Sequence, residues 1–295
     1  MIHYDQCPVC TGKNIKPAFS AKDYTATQEL FEVWICNNCS SGFTQNVPAK
    51  EAIGKYYQSA AYVSHSDTKE GLVNRLYHSV RSITLSGKRK LVSSETGLNK
   101  GTILDIGCGT GAFLSGMKNA GWSATGLEPD ETARNKAREL YQLEPRSSDE
   151  LFQLPAASFD AITMWHVLEH VHQLDQYLDR IHLLLKERGV LFIAVPNLQS
   201  YDAVHYKECW AAYDVPRHLY HFSANGMEQL LHRHGLKLKK IKPMWFDSFY
   251  VSMLSEQYLN GKGNIIKACC IGFLSNLKAM FNRRKCSSLI YIVNK

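Results

Sequence analysis

No run of about 18 or more apolar, uncharged residues occurs in the 295-residue chain, so a membrane-spanning helix is not expected. The opening, MIHYDQCPVC, lacks the apolar stretch that a secretory signal needs. Internal repeats and low-complexity tracts are also missing, which excludes a solenoid. Nor is the charge lopsided: 34 Lys and Arg stand against 27 Asp and Glu. The resulting +7 permits an anionic partner without requiring one. Nine cysteines without a visible signal point to reduced thiols or a metal, not to a disulfide framework. What remains is an ordinary globular composition, one large domain or two smaller ones, with a cytoplasmic location as the default.

Four of the cysteines fall into two C-x2-C pairs, Cys7 with Cys10 and Cys36 with Cys39. Two such pairs suit tetrahedral thiolate ligation of zinc, and residues 31–35 read as a strand entering the second pair. Residues 1–47 are therefore expected to form a small zinc ribbon, a structural staple or lid. Residues 48–100 read as a tyrosine-rich lid followed by a helical segment, with Leu72, Leu76, Val80 and Ile83 on one stripe. From Thr102 onward, short apolar strands alternate with helical stretches. This pattern predicts a doubly wound α/β sheet over 101–295, with sites at the carboxyl ends of its strands. Late strands are expected at 236–242 and 287–293, with a partly helical insertion at 244–285.

The strongest chemical signal is LDIGCGTGAFL. Gly107, Gly109 and Gly111 alternate between a strand end and a helix start, where glycine permits a tight turn and close approach of a ligand. Glu128 ends the next strand, about 20 residues on, where an acid binds a ribose diol. The dinucleotide fingerprint G-x-G-x-x-G is not met, and Asp105 beside the loop would repel a pyrophosphate while suiting a cation. Together with GLEPD, SFDAITMWHVLEHV and GVLFIAVPN, this loop resembles the class I S-adenosylmethionine-dependent methyltransferases over about residues 85–245. The subgroup it is most similar to contains ubiquinone-pathway O-methyltransferases and sugar C-methyltransferases. The resemblance implies a Rossmann-like, mostly parallel sheet of seven strands whose last two form a hairpin. It also implies S-adenosyl-L-methionine as cofactor. Asp105, Gly107, Cys108, Gly109 and Gly111 would hold its methionine end, and Glu128 with Pro129 its ribose. Ser148 and Asp149 would lie near the adenine, and Met164 and Trp165 beside the sulfonium.

WHVLEH, residues 165–170, raises a rival chemistry. His166, Glu169 and His170 have the H-x-x-E-H spacing of one zinc-protease class. The methyltransferase resemblance explains the stretch without a metal, although related enzymes carry an E-x-x-E-H variant linked to a divalent cation. His166 and His218 are the candidate catalytic residues, with His218 favoured as general base. Tyr62, His65, Tyr213, Asp214 and Arg217 are the candidate acceptor residues, the first two in a cofactor lid.

The acceptor is expected to be a small molecule, a sugar or a lipid-linked intermediate, methylated at oxygen or carbon. Two alternatives stand beside it: an RNA methyltransferase that holds RNA with its ribbon, and a cofactor-binding scaffold without catalysis. Nucleic acid is the less favoured partner, because the ribbon has few clustered basic residues and the N/D-P-P-Y/F type signature is missing. Within the insertion, Ile266, Cys270, Leu274, Leu277 and Phe281 share a helical stripe with basic residues nearby. A stripe of this kind either packs on its own domain or brings 264–285 into peripheral contact with an anionic membrane.

Overall fold

A computed structural model describes residues 1–58 and 72–295. Its centre is a six-stranded sheet in the order β5-β4-β6-β7-β10-β9. The strands are β4 (Thr102–Ile106), β5 (Ser123–Leu127), β6 (Phe159–Trp165), β7 (Leu185–Pro196), β9 (Lys237–Pro243) and β10 (Ser288–Asn294). β4 to β7 run parallel, while β10 is antiparallel to both of its neighbours. The expected class I α/β architecture and its closing hairpin are present, with the insertion between β9 and β10. Among the described residues the sheet has six strands where seven were expected. At the position of the third edge strand, the described residues show a single parallel bridge between Leu127 and Arg146.

Helices connect the parallel strands. α1 (Leu72–Thr96) precedes β4, and α2 (Ala112–Asn119) follows the glycine loop. α3 (Glu131–Tyr141) starts on Asp130, whose carboxylate accepts from the amides of Thr132 and Ala133. α4 (Leu174–Leu184) leads into β7. Residues 190–195 of β7 are all buried, as a central strand covered on both faces requires. Of the stripe expected on α1, the side chains of Leu72 and Leu76 lie outside the described residues and Val80 is half-buried. Ile83 stands in solvent, whereas Val92 is fully buried and Lys88 turns inward.

The amino-terminal ribbon consists of β1 (Ile15–Lys22), β2 (Leu30–Cys36) and β3 (Gly42–Thr44). Its sheet does not end there. β3 pairs with β8 (Tyr220–His221), a strand supplied by the segment after β7. One apolar core runs from Cys7, Val9 and Phe43 through Leu219 and Phe222 to Leu104 and Leu191. Residue 47 thus marks a change of element type within a shared core. Ser223 fastens the junction. Its hydroxyl donates to the Cys39 carbonyl (2.6 Å) and accepts from Gly226 N–H (2.8 Å) at the start of α6 (Ala224–Arg233). Among the described residues, no helix is long and apolar enough to cross a membrane.

Ser223→Ala removes a helix cap and leaves the buried Cys39 carbonyl without this donor. Loss of about 2 kcal/mol of stability is expected, read as a lower midpoint in urea denaturation.

Candidate active site

The glycine loop joins β4 to α2, and all three glycines have positive φ: 71° at Gly107, 54° at Gly109 and 83° at Gly111. A Cβ on Gly107 would meet Val167 at 2.4 Å, and one on Gly111 would meet Leu143 at 2.7 Å. These two glycines let the loop pack on its own fold. Gly109 differs, since a Cβ there would meet no protein atom within 4 Å. Its open side is where a ligand can approach the backbone.

Two buried carboxylates flank this opening. Asp105 accepts from the Thr163 hydroxyl at 2.6 Å. Burial pushes its pKa up to about 7, although Thr163 and the Lys88 ammonium pull the other way. Glu128 accepts from Gly109 N–H at 2.8 Å and from Asp130 N–H at 3.0 Å. Its pKa is also raised, by burial, against the pull of those amides. Pro129 is exposed in the turn that follows, and Arg134 donates to the carbonyls of Glu128 and Pro129. Ser148 opens a short helical turn just past the Arg146 bridge, and the exposed Asp149 accepts from Lys50 at 2.9 Å. Two expected contacts need correction. The side chains of Cys108 and Met164 lie in apolar clusters, so only their backbones are available at the loop and the strand end.

At the end of β6, Trp165 lies edge-on to Phe113, and the Lys88 ammonium sits 4.4 Å from its ring centroid. His166, in left-handed conformation (φ 58°), has its Nε2 2.9 Å from Asp247 and its Nδ1 3.4 Å from Glu169. Burial opposes charging this ring. The two carboxylates outweigh it and lift the pKa to about 10. His166 is therefore an imidazolium near pH 7 and cannot take a proton, which corrects its expected use as a base.

The histidine–glutamate spacing of WHVLEH does not build the helical face its pattern allows. Residues 168–170 form one tight turn, and His166 points at Asp247. The groups that converge are Glu169, His170 and His218, with ligand atoms within 4.8 Å of one another. His218 is buried. Its Nδ1 donates to the Ala212 carbonyl at 2.8 Å, and its Nε2 lies 4.0 Å from Asp214. Burial and His218 together depress His170 to about 4, so it is neutral near pH 7.

Tyr213, Asp214 and Arg217, expected at the acceptor, form a buried brace instead. The Arg217 guanidinium holds Asp214 through two hydrogen bonds, Asp23 of the ribbon at 3.0 Å and the Tyr56 carbonyl at 2.7 Å. With the guanidinium so engaged and fully buried, it does not present itself to an acceptor anion. Tyr213 packs among the rings of Phe19, Trp210 and His221. Tyr62 and His65 lie outside the described residues.

Over residues 83–241, more than half its length, the sequence matches the family model described as a methyltransferase domain. The chain belongs to this methyltransferase family. It resembles the class I, S-adenosylmethionine-dependent enzymes of the ubiquinone pathway. A ubiquinone biosynthesis O-methyltransferase of Pseudomonas paraeruginosa is 32% identical over 114 residues, which cover 36% of this chain and 49% of that protein. The mitochondrial ubiquinone biosynthesis O-methyltransferase of Rattus norvegicus is 26% identical over 185 residues, covering 56% and 53%. The chain spans about half the length of the curated relatives it matches. Among solved structures, phosphoethanolamine N-methyltransferase 2 of Haemonchus contortus, in complex with S-adenosyl-L-methionine, is similar with a TM-score of 0.50. That likeness, at 16% identity over 71% of this chain and 52% of the other, concerns the fold alone.

Two residues of this methyltransferase site have no sequence signal. Lys88 sits in a run of basic residues, and only packing shows which of them turns inward. Asp247 comes from the insertion, 81 positions (247 − 166) from the histidine it meets. The amino-terminal cysteines do assemble as their spacing predicts. Sγ of Cys7 lies 3.7 Å from that of Cys39, and Sγ of Cys10 lies 3.6 Å from that of Cys36. All four lie within 4.8 Å of one another.

The His166 pKa carries a signed prediction. A histidine raised from its unfolded value near 6.5 to about 10 contributes stability that is complete below pH 6.5. This contribution fades as pH rises toward 10. Thermal unfolding of the wild type should fall across that window, and His166→Gln should lose this part of the slope.

Proposed function

We propose that this chain transfers a methyl group from S-adenosyl-L-methionine to a hydroxyl oxygen of a small-molecule acceptor. The observation that carries the reading is the pair of buried carboxylates, Asp105 and Glu128, on either side of the open face of Gly109. Two acids withdrawn from water at one loop favour a ligand with positive charge and hydroxyl donors. They disfavour a pyrophosphate. Glu128 would accept from a ribose diol, Asp105 would face the charged methionine end, and Ser148 and Asp149 would border the adenine. When bound, the cofactor supplies an electrophilic methyl group on a sulfonium.

The residues of the chain handle the acceptor. Trp165 and Phe113 form an apolar wall at the end of β6 and exclude water. The His166 imidazolium spends both N–H groups on Asp247 and Glu169, so its part would be that of a fixed positive charge at the end of β6, favouring an acceptor oxygen that develops negative charge. An acidic hydroxyl, as in a phenol or enol, fits this cation best, because it ionises most readily beside it. The relatives named ubiquinone biosynthesis O-methyltransferases favour oxygen over carbon as the methylated atom. Asp247, paired with His166 and held below the usual carboxylate range by that cation, is a weak base, so such an acceptor would give its hydroxyl proton to solvent before the methyl group is transferred.

The same reasoning assigns one structural zinc to Cys7, Cys10, Cys36 and Cys39. Four thiolates about 2.3 Å from zinc have sulfur–sulfur edges of about 3.8 Å, which the 3.6 and 3.7 Å separations match.

Calorimetry tests the cofactor. S-adenosylmethionine and S-adenosylhomocysteine should bind, and NAD should not. Because Asp105 ionises near pH 7, affinity for the sulfonium cofactor should rise as pH passes from 6 to 8, and Asp105→Asn should flatten that rise. Undetectable binding of both sulfur nucleosides would remove the reading. Incubation with isotopically labelled cofactor and cell extract, followed by mass spectrometry, then identifies the acceptor and the methylated atom.

Metal analysis should find one zinc per chain, lost in Cys36→Ser. Since β3 pairs with β8, faster hydrogen exchange should reach residues 218–223 as well as the ribbon.

A further inference from the structure

The two helices inserted between β9 and β10, α7 (Asp247–Asn260) and α8 (Ile265–Phe281), are turned inside out. Toward the protein, α7 presents Ser248, Ser252, Ser255 and Glu256. α8 presents Ala268, Ile271, Gly272, Ser275 and Ala279. A Cβ on Gly272 would stand 3.0 Å from the Cα of Phe249, so the two helices touch almost backbone to backbone. Ile271 apart, the large apolar side chains that are exposed face the other way. Tyr250 and Met253 are exposed on α7; Ile266, Phe273, Met280 and Phe281 are exposed on α8. Of the 20 large hydrophobic side chains exposed among the described residues, 12 lie between 245 and 281, so this surface is one patch and not a scatter.

A helix on a water-soluble domain buries its large apolar stripe. Helices in lipid do the reverse, packing through small residues and leaving the large ones outside. The charges agree. From Gln257 to Lys295 the sequence has no Asp or Glu, while Lys262, Lys267, Lys278, Arg283, Arg284 and Lys285 lie in or beside α8; Lys267 pairs with Glu256 and Arg284 with Glu228, so these two share their charge with the protein. Two copies of this face would bring like charges together, so a second copy of the chain is not its complement. An anionic surface is. The helices, 14 and 17 residues long, measure about 21 and 25 Å, short of the roughly 30 Å core of a bilayer.

We propose that the 245–285 hairpin docks this protein on an anionic lipid surface, lying in the headgroup region without crossing it. Asp247, the first residue of α7, bonds His166, so the docking element adjoins the candidate site.

Sedimentation of the full chain with lipid vesicles tests this. Vesicles containing phosphatidylglycerol should bind the protein, and pure phosphatidylcholine should bind it less. High salt should weaken the association. The double variant Phe273→Ser, Phe281→Ser should weaken it at least about tenfold while binding of S-adenosylhomocysteine stays unchanged. Arg283→Glu with Arg284→Glu should abolish the preference for anionic vesicles. Absence of wild-type binding, or equal binding by the phenylalanine variant, overturns the proposal. So does a dimer in sedimentation velocity that the phenylalanine variant dissociates. Failure to bind lipid would leave the methyltransferase reading intact, and failure to bind cofactor would leave this one.

Discussion

Burying negative charge at the ends of parallel strands is the constraint around which the site is organised. Asp105 and Glu128 stand at the ends of β4 and β5, beside the glycine loop. Thr163, the Gly109 amide and the Asp130 amide hold these carboxylates in place, yet do not fully offset the loss of water, and both acids stay harder to ionise than usual. A cationic ligand with a diol relieves that cost. The glycines serve the same end, because a side chain at 107 or 111 would push the loop off the positions that its carboxylate partners require.

A second charge system integrates the chain. Arg217 gathers Asp214, the ribbon's Asp23 and the Tyr56 carbonyl into one buried brace. Breaking a buried pair on one side leaves an uncompensated charge, so the three segments are held to a common geometry. The strand pairing of β3 with β8 and the Ser223 junction act on the same segment. The ribbon is thereby fixed to the stretch that carries His218, next to the tight turn bearing Glu169 and His170. A metal held by the four cysteines, as proposed, would act on the wall of the candidate site through this route.

The insertion links site and surface. Its first helical residue supplies the partner of His166, and its outer face carries the main exposed apolar patch. The same insertion is tied to the core, since Ile271 and Ala279 lie in its apolar clusters and Ser275 donates to the buried Asp202.

The local pattern of residues was enough to determine the class I sheet, the glycine loop with its two acids, a partly helical insertion and the convergence of four cysteines. Each depends on spacing along one segment: apolar runs make strands, alternating glycines make the loop, and C-x2-C brings two sulfurs close. Tertiary structure decided the rest, because burial and long-range partners are not written in any single segment. Arg217 and Tyr213 look like pocket residues in a polar, aromatic stretch, and only the arrival of Asp23 and Phe19 makes them a brace and a core. His166 has the sequence of a ligand or a base, but Asp247 makes it a cation from 81 positions away. On α8 the stripe of Ile266, Leu274, Leu277 and Phe281 was legible as amphipathic. Its direction was not, since periodicity shows that a helix has two faces, while the backbone contact at Gly272 fixes which one the protein covers.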